Sequence, residues 1–266
     1  MNTFHLLILA AVQGLTEFLP VSSSGHLALF QEFLGMESPE GATLEVLLHG
    51  GTLISVLVFY REKLLSLCQG LIKRDKGSLL YCAALLLSCL PAMFVYVLAG
   101  KAIEKSFTSV FLIAGCLIVT GAILLSQQFL PSSLPFRSQP MTWWRALLTG
   151  AAQAVAMLPG ISRSGSTITA ARWLGLGGAE AMEFSFLMSI PILGGGIILK
   201  IGEACHDGLG GLNPLSVILA AAVAAVIGYL ALKLLKLLQL LGRLQYFGYY
   251  CLGIGVLAIV LKLSLR

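Results

Sequence analysis

The stretches PVSSSGH at residues 20–26 and PGISRSGST at residues 159–167 read as two imperfect copies of one another. Each places hydroxyls and a glycine where an apolar run breaks. Backbone N–H groups at a helix start, backed by the helix dipole, form an anion cradle. Two such breaks in one very apolar chain organise the reading of everything around them.

The surroundings are those of a membrane protein. Of 266 residues, 58% are hydrophobic and 11% charged, with a mean hydropathy of +0.92, whereas soluble domains carry about 25% charged residues. Apolar windows long enough for the roughly 20 residues that a hydrocarbon core demands fall near 44–60, 79–99, 108–129, 184–202, 214–238 and 246–264. The expected fold is an all-α membrane protein with six spanning helices.

The formal net charge of +5 does not point to nucleic acid, because the bases sit in short loops between apolar runs, where they set orientation. Cysteines 68, 82, 89, 116, 205 and 251 show no CxxC spacing and mostly lie within apolar runs, where cysteine behaves as a small hydrophobe. The first Lys or Arg is Arg61, so the start lacks the basic region of a cleaved signal peptide and is expected to be retained as structure.

A shift of 140 residues aligns Gln13 with Gln153, Ser22 with Ser162, Ser24 with Ser164, Gly25 with Gly165, Leu34 with Leu174 and Gly35 with Gly175; after a two-residue gap Glu45 meets Glu183. Each copy is followed by three apolar windows. The chain therefore reads as one membrane domain, 1–266, made of a first repeat, 1–130, and a second, 140–266. Each repeat opens with an interrupted segment, 4–34 and 146–176. Broken backbone at membrane depth must be buried in protein or line a wet cavity, so both segments are drawn as re-entrant helix pairs rather than surface hairpins. Their short second helices are expected at about 27–34 and 167–174.

If the re-entrant pairs do not cross, three crossings per half force the second repeat to insert upside down, giving an inverted-topology repeat. Arg61, Lys63, Lys73, Arg74 and Lys76 put the first loop in the cytoplasm by the positive-inside rule. Alternation then places Arg137, Arg145, Lys233, Lys236 and Arg243 inside too, ten of the seventeen bases, with both termini outside. In such folds the polar breaks meet near the midplane at the repeat interface.

Ser22, Ser23, Ser24 and Gly25 in the first break, and Ser162, Ser164, Gly165 and Thr167 in the second, are candidate phosphate-binding residues. The alternative for the serines is simple N-capping and close packing. Arg163 offers a forked guanidinium that grips phosphate at two oxygens, and a charge at membrane depth is functional by default. The copies diverge: Glu17 and His26 of the first become Met157 and Ser166 in the second. Glu17 stands where a carboxylate could activate a hydroxyl, bind a divalent cation or pair with Arg163. His26 is a candidate for proton transfer. Spacing alone does not choose a nucleophile among the three serines. Gln13, Glu45, His49 and Glu183 are candidates for orienting these groups from behind.

QGLTEFLPVSSSGH at 13–26 and LPGISRSGST at 158–167, with AMEFSFLMSIP at 181–191, closely resemble the signature regions of the bacterial undecaprenyl-pyrophosphate phosphatases of the bacitracin-resistance type. The resemblance implies hydrolysis of undecaprenyl pyrophosphate to undecaprenyl phosphate and inorganic phosphate. It also implies a multi-pass protein of the bacterial plasma membrane with a site opening outward, and a divalent cation, magnesium or calcium. By position, Glu17 is the second acidic residue of the family's (E/Q)xxxE element and the expected metal ligand, with Gln13 as the first. Ser23 matches the usual nucleophile, His26 the proton-transfer residue and Arg163 the phosphate-binding arginine. The expected partners are a polyprenyl diphosphate and the bilayer, with a homodimer admitted and nucleic acid not. A lipid-phosphate transporter is the rival reading, since inverted repeats and midplane charge are equally features of carriers.

Overall fold

The computed structural model describes residues 3–34, 43–130, 140–207 and 213–265, with no side-chain detail at 34, 43–47 and 199–207. The described chain is helical, without strands. Among the described residues, five stretches are long and apolar enough to cross a membrane: Lys76–Ser106, Val110–Phe129, Gly178–Ile198, Pro214–Leu240 and Gln245–Ser264. Large apolar side chains such as Leu80, Val97, Val226 and Val260 point outward from these helices, as a lipid-facing surface requires. The chain is a multi-pass integral membrane protein.

Helix α1 (Thr3–Phe18) and α2 (Ser23–Leu34) flank the first serine break, and α3 (Thr43–Phe59) follows. The apolar window at 44–60 falls on α3, whose side-chain-described part, Leu48–Phe59, is shorter than a full span. The basic loop after it is not irregular: it folds as α4 (Arg61–Ile72). Helix α5 (Lys76–Ser106) then starts at Asp75, whose carboxylate accepts from the Ser78 amide at 2.7 Å, an N-cap interaction. Helix α6 (Val110–Ser126) completes the first half.

The second half repeats the pattern. Helices α7 (Trp143–Val155) and α8 (Arg163–Trp173) flank the second break. The window at 184–202 is covered by two helices, α9 (Gly178–Leu187) and α10 (Ser189–Asp207). They part just before Pro191, whose missing N–H and bulky ring favour the first turn of a new helix over the interior of an old one. Helices α11 (Pro214–Leu240) and α12 (Gln245–Ser264) close the chain.

Small residues let the helices approach closely, the usual basis of association where lipid is as apolar as the side chains. Helix α1 packs on α11, where a Cβ on Gly14 would stand 2.8 Å from the Ala224 carbonyl oxygen. Helix α7 packs on α5, with Gly150 against the Ser88 backbone. Helix α6 packs on α12, with Gly255 against Ala114 and Gly121 against Gly248. The central core gathers Phe18, Val56, Ile168, Phe186 and Leu232 from five different helices. Phe18 and Phe186 meet edge to face at 5.5 Å.

Candidate active site

The two breaks are built alike. Ser22 and Ser162 are N-caps: Ser22 Oγ accepts from the Gly25 amide at 3.3 Å and Ser162 Oγ from the Gly165 amide at 3.1 Å. Ser22 and Ser24, and equally Ser162 and Ser164, have hydroxyls 3.3 Å apart. Helices α2 and α8 therefore start at Ser23 and Arg163, earlier than the expected 27 and 167. Each serine cap satisfies one orphan amide of the first turn, that of Gly25 or Gly165, and Ser23, Ser24 and Ser164 belong to that turn. The capping reading holds for Ser22 and Ser162. Ser22 also sits at φ +69°, a left-handed backbone that costs a non-glycine residue of order 1–3 kcal/mol.

The breaks press on each other reciprocally. A Cβ on Gly25 would stand 2.9 Å from the Cα of Gly160, and one on Gly165 would meet the Pro20 side chain at 3.3 Å. Positions 20 and 160 correspond under the 140-residue shift, as do 25 and 165. Each break is also pinned from outside: Thr120 on α6 donates to the Gly160 carbonyl at 2.8 Å, and Cys251 on α12 points its thiol at the Pro20 carbonyl at 3.8 Å.

Glu17, at the end of α1 and 7% exposed, is the hub. Its Oε2 accepts from Ser23 Oγ at 2.6 Å and Gln13 Nε2 at 3.1 Å, and lies 3.3 Å from His49 Nε2. Its Oε1 pairs with Arg163 Nη2. The carboxylate of the first half and the guanidinium of the second therefore meet in one buried cluster. Two polar atoms there are buried without a partner among the described residues: Arg163 Nη1 and Gln13 Oε1. A buried polar group left unmatched is costly, and these two, one a donor and one an acceptor, leave the cluster chemically incomplete.

Other candidates fall elsewhere. His26 is buried on the first turn of α2, yet its ring nitrogens engage the Ser22 carbonyl at 2.8 Å and the Tyr250 hydroxyl at 2.9 Å rather than Ser23. A carbonyl only accepts, so Nδ1 carries the hydrogen and Nε2 is the ring atom left to accept a proton. Thr167 donates to the Arg163 carbonyl at 2.7 Å and shares its hydroxyl with Ser185 at 2.6 Å, tying α8 to α9. Glu183 binds Lys63 Nζ at 2.8 Å and accepts from Tyr81 at 3.2 Å, so its carboxylate joins a separate cluster. The side chain of Glu45 lies outside the described residues. Tyr250 was not legible as a site residue: it sits in YFGYY at 246–250, which reads equally as an interfacial aromatic belt.

The donor set bears on a metal. Among the described residues no three His, Cys, Asp or Glu side chains gather as a ligand cage. Glu17, the orphaned Gln13 carbonyl and the Ser23 hydroxyl do supply the hard oxygen atoms that magnesium and calcium prefer, with coordination left over for water and phosphate. The residues fit such a cation with a single carboxylate.

Fold and site together define a multi-pass helical membrane protein that keeps a carboxylate, a guanidinium and a row of hydroxyls buried at the junction of two broken helices. A family profile described as "Bacitracin resistance protein BacA" matches residues 6–257, and the chain belongs to this family. It is similar to proteins named "Undecaprenyl-diphosphatase" in Halothermothrix orenii (38% identical, covering 98% of both chains) and Bacteroides fragilis (38%, covering 98% of this chain and 99% of the relative). A protein of the same name in Methanococcus maripaludis is 38% identical over 92% of this chain and 94% of its own.

Proposed function

We propose that this chain hydrolyses undecaprenyl diphosphate to undecaprenyl phosphate and inorganic phosphate, returning the lipid carrier to cell-wall synthesis and conferring bacitracin resistance. The observation that carries this reading is the 2.6 Å bond from Ser23 Oγ to Glu17 beside an arginine with a free buried N–H. A carrier needs an anion site but no hydroxyl paired with a base.

Arg163 Nη1 and the first-turn amides of α2 and α8 hold the terminal phosphate. Ser23 Oγ attacks its phosphorus as Glu17 takes the hydroxyl proton; the bridging P–O bond breaks, and undecaprenyl phosphate leaves with the bridging oxygen. Water then adds to phosphorus, the P–Oγ bond breaks, and Glu17 returns the proton to Oγ. Stabilisation of the charge spread over the phosphoryl oxygens supplies most of the rate. His26 holds the Ser22 carbonyl, and with it the turn that presents Ser23, while its Nε2 accepts from the Tyr250 hydroxyl, the route by which it would exchange a proton. Glu17 and the Gln13 carbonyl would hold a magnesium or calcium ion, whose contribution is further neutralisation of phosphate charge.

The same reading includes an inverted repeat, 1–130 against 140–266, with six spans, re-entrant pairs at 4–34 and 146–176, and a site open to the outer face of the bacterial plasma membrane. It is supported by the reciprocal contacts of the breaks, the paired anchors Thr120 and Cys251, and the packing of α1 on α11 as α7 packs on α5. The test is phosphate release from a polyprenyl diphosphate by the purified protein, with and without EDTA, beside Ser23→Ala and Arg163→Ala. Release by both variants at the normal rate would remove the proposed site.

A further inference from the structure

A groove of about 380 Å³ runs between α2 and α12. Its inner end is the pair His26 and Tyr250, with rings 5.6 Å apart and nearly parallel, and His26 lies on the same helical turn as Ser23. Its floor is the buried Leu29 and Ala258, and its rim the half-exposed Phe30, Leu257 and Leu261. At the far end Lys262 bridges to Glu32 at 2.6 Å. From Tyr250 to Leu261 the groove follows α12 for about 16 Å, at 1.5 Å per residue. Between its two polar ends every lining side chain is apolar.

The second half holds the counterpart. A cleft of about 330 Å³ is lined by Ser166, Thr169, Ala170 and Trp173 of α8 and by Ile123 and Ser126 of α6, among others. Under the 140-residue shift these α8 residues match His26, Leu29, Phe30 and Phe33. Thr120 answers to Cys251, so Ile123 and Ser126 answer to Ile254 and Leu257. The two clefts are one feature of the repeat, filled differently. In the second, Trp173 Nε1 donates to Ser126 Oγ at 3.2 Å, strapping α8 to α6. In the first, Phe33 and Leu257 have no polar group with which to form that strap.

We propose that the α2–α12 groove binds the first isoprenoid units of the lipid substrate, with His26 and Tyr250 at the junction of diphosphate and tail. This rests on the phosphatase reading above. Continuity decides the occupant: a chain whose phosphates contact Ser23 has, one helical turn away, an unbroken apolar channel ending at a charged bridge. The channel is the only one of the twin clefts joined to a turn carrying both a candidate nucleophile and a histidine. Leu257, Phe30 and Leu261 then determine preference for tail length, whereas the strapped cleft takes no part in it.

The experiment compares kcat/KM for a long polyprenyl diphosphate and for dimethylallyl diphosphate in Leu257→Trp and Leu261→Trp, with Val155→Trp in the second cleft as control. Excluding a few methylenes, at about 0.8 kcal/mol each, lowers kcat/KM roughly tenfold or more for the long substrate. The expected change for the short one is under about twofold, and Val155→Trp changes neither. Equal losses on both substrates, or no loss in either variant, overturn the proposal. A polyprenyl diphosphate with a benzophenone on its second isoprene unit reads binding without turnover. Labelling within 29–33 and 254–261 supports the groove even if no phosphate is released, and labelling confined to other helices overturns it. Absence of phosphate release together with labelling in the groove would count against the phosphatase reading alone.

Discussion

Gly25 and Gly160, from the two broken segments, are packed so closely that a Cβ on the first would lie 2.9 Å from the Cα of the second. Gly160 is also at φ +96°, so its backbone has little room to yield. Gly25→Ala should therefore push the breaks apart. The expected cost is about 1–3 kcal/mol, as for overpacking in cores, with loss of most phosphatase activity. Gly165→Ala, whose added methyl meets Pro20 at 3.3 Å, should cost less on both counts. Thermal unfolding in detergent beside phosphate release checks the order.

Glu17 and Arg163 neutralise each other in a buried cluster, and removing one leaves the other uncompensated. Glu17→Gln and Arg163→Met should each destabilise by about 3–5 kcal/mol, whereas the double variant should recover much of the loss. All three should be inactive. Recovery of activity in the double variant would show that the pair is purely structural.

Ser23 and Ser24 are neighbours on one turn, but only Ser23 bonds Glu17. Ser23→Ala should lower kcat by roughly 10³-fold or more, the scale of losing a nucleophile, with a stability loss of no more than about 1.5–3 kcal/mol, that of one hydrogen bond to a charged group. Ser24→Ala should cost under about tenfold. The reverse order, measured on polyprenyl diphosphate, would reassign the nucleophile.

Ser22 combines a capping hydroxyl with a left-handed backbone. Replacing a capping serine by glycine costs a few tenths of a kcal/mol and by alanine about 1 kcal/mol, and only glycine relaxes the positive φ. Ser22→Gly should be more stable than Ser22→Ala by at least about 1 kcal/mol, measured by unfolding midpoints.

The single carboxylate of the proposed cation site leads to one prediction about metal. EDTA should abolish phosphate release, and magnesium or calcium should restore it. Gln13→Glu sets a second carboxylate beside Glu17, so it should destabilise the metal-free protein by like-charge repulsion. Added cation should then stabilise it more than wild type, since binding to the folded state alone raises the unfolding midpoint by mass action. Equal response to cation in both proteins would place the metal elsewhere.

Much of this was legible before any fold was known. Twenty or so apolar residues in a row can satisfy their backbone in lipid only as helix; of the six windows read this way, five lie on long apolar helices among the described residues, and the window at 44–60 falls on the shorter α3. A capping role for the serines was readable as the alternative to phosphate binding, because a hydroxyl before an apolar run caps local amides, and corresponding positions of the two breaks visibly carry the same residue types. The early start of α2 and α8 was missed because the caps themselves, not the apolar residues after them, begin the helix. The division of labour among the serines was also hidden, since it depends on which hydroxyl a distant carboxylate reaches.

What the linear chain determined by itself is local: apolar spans, capped breaks, and an acid and a histidine in one copy where the other has an arginine. What only the tertiary structure decided is who meets whom. Glu17 and Arg163 stand 146 residues apart, His26 turns to Tyr250 instead of Ser23, and Glu183 leaves for Lys63 and Tyr81. Such pairings arise because a buried polar group must find a partner among whatever the packed helices bring within about 3 Å, and spacing along the sequence carries no record of that search.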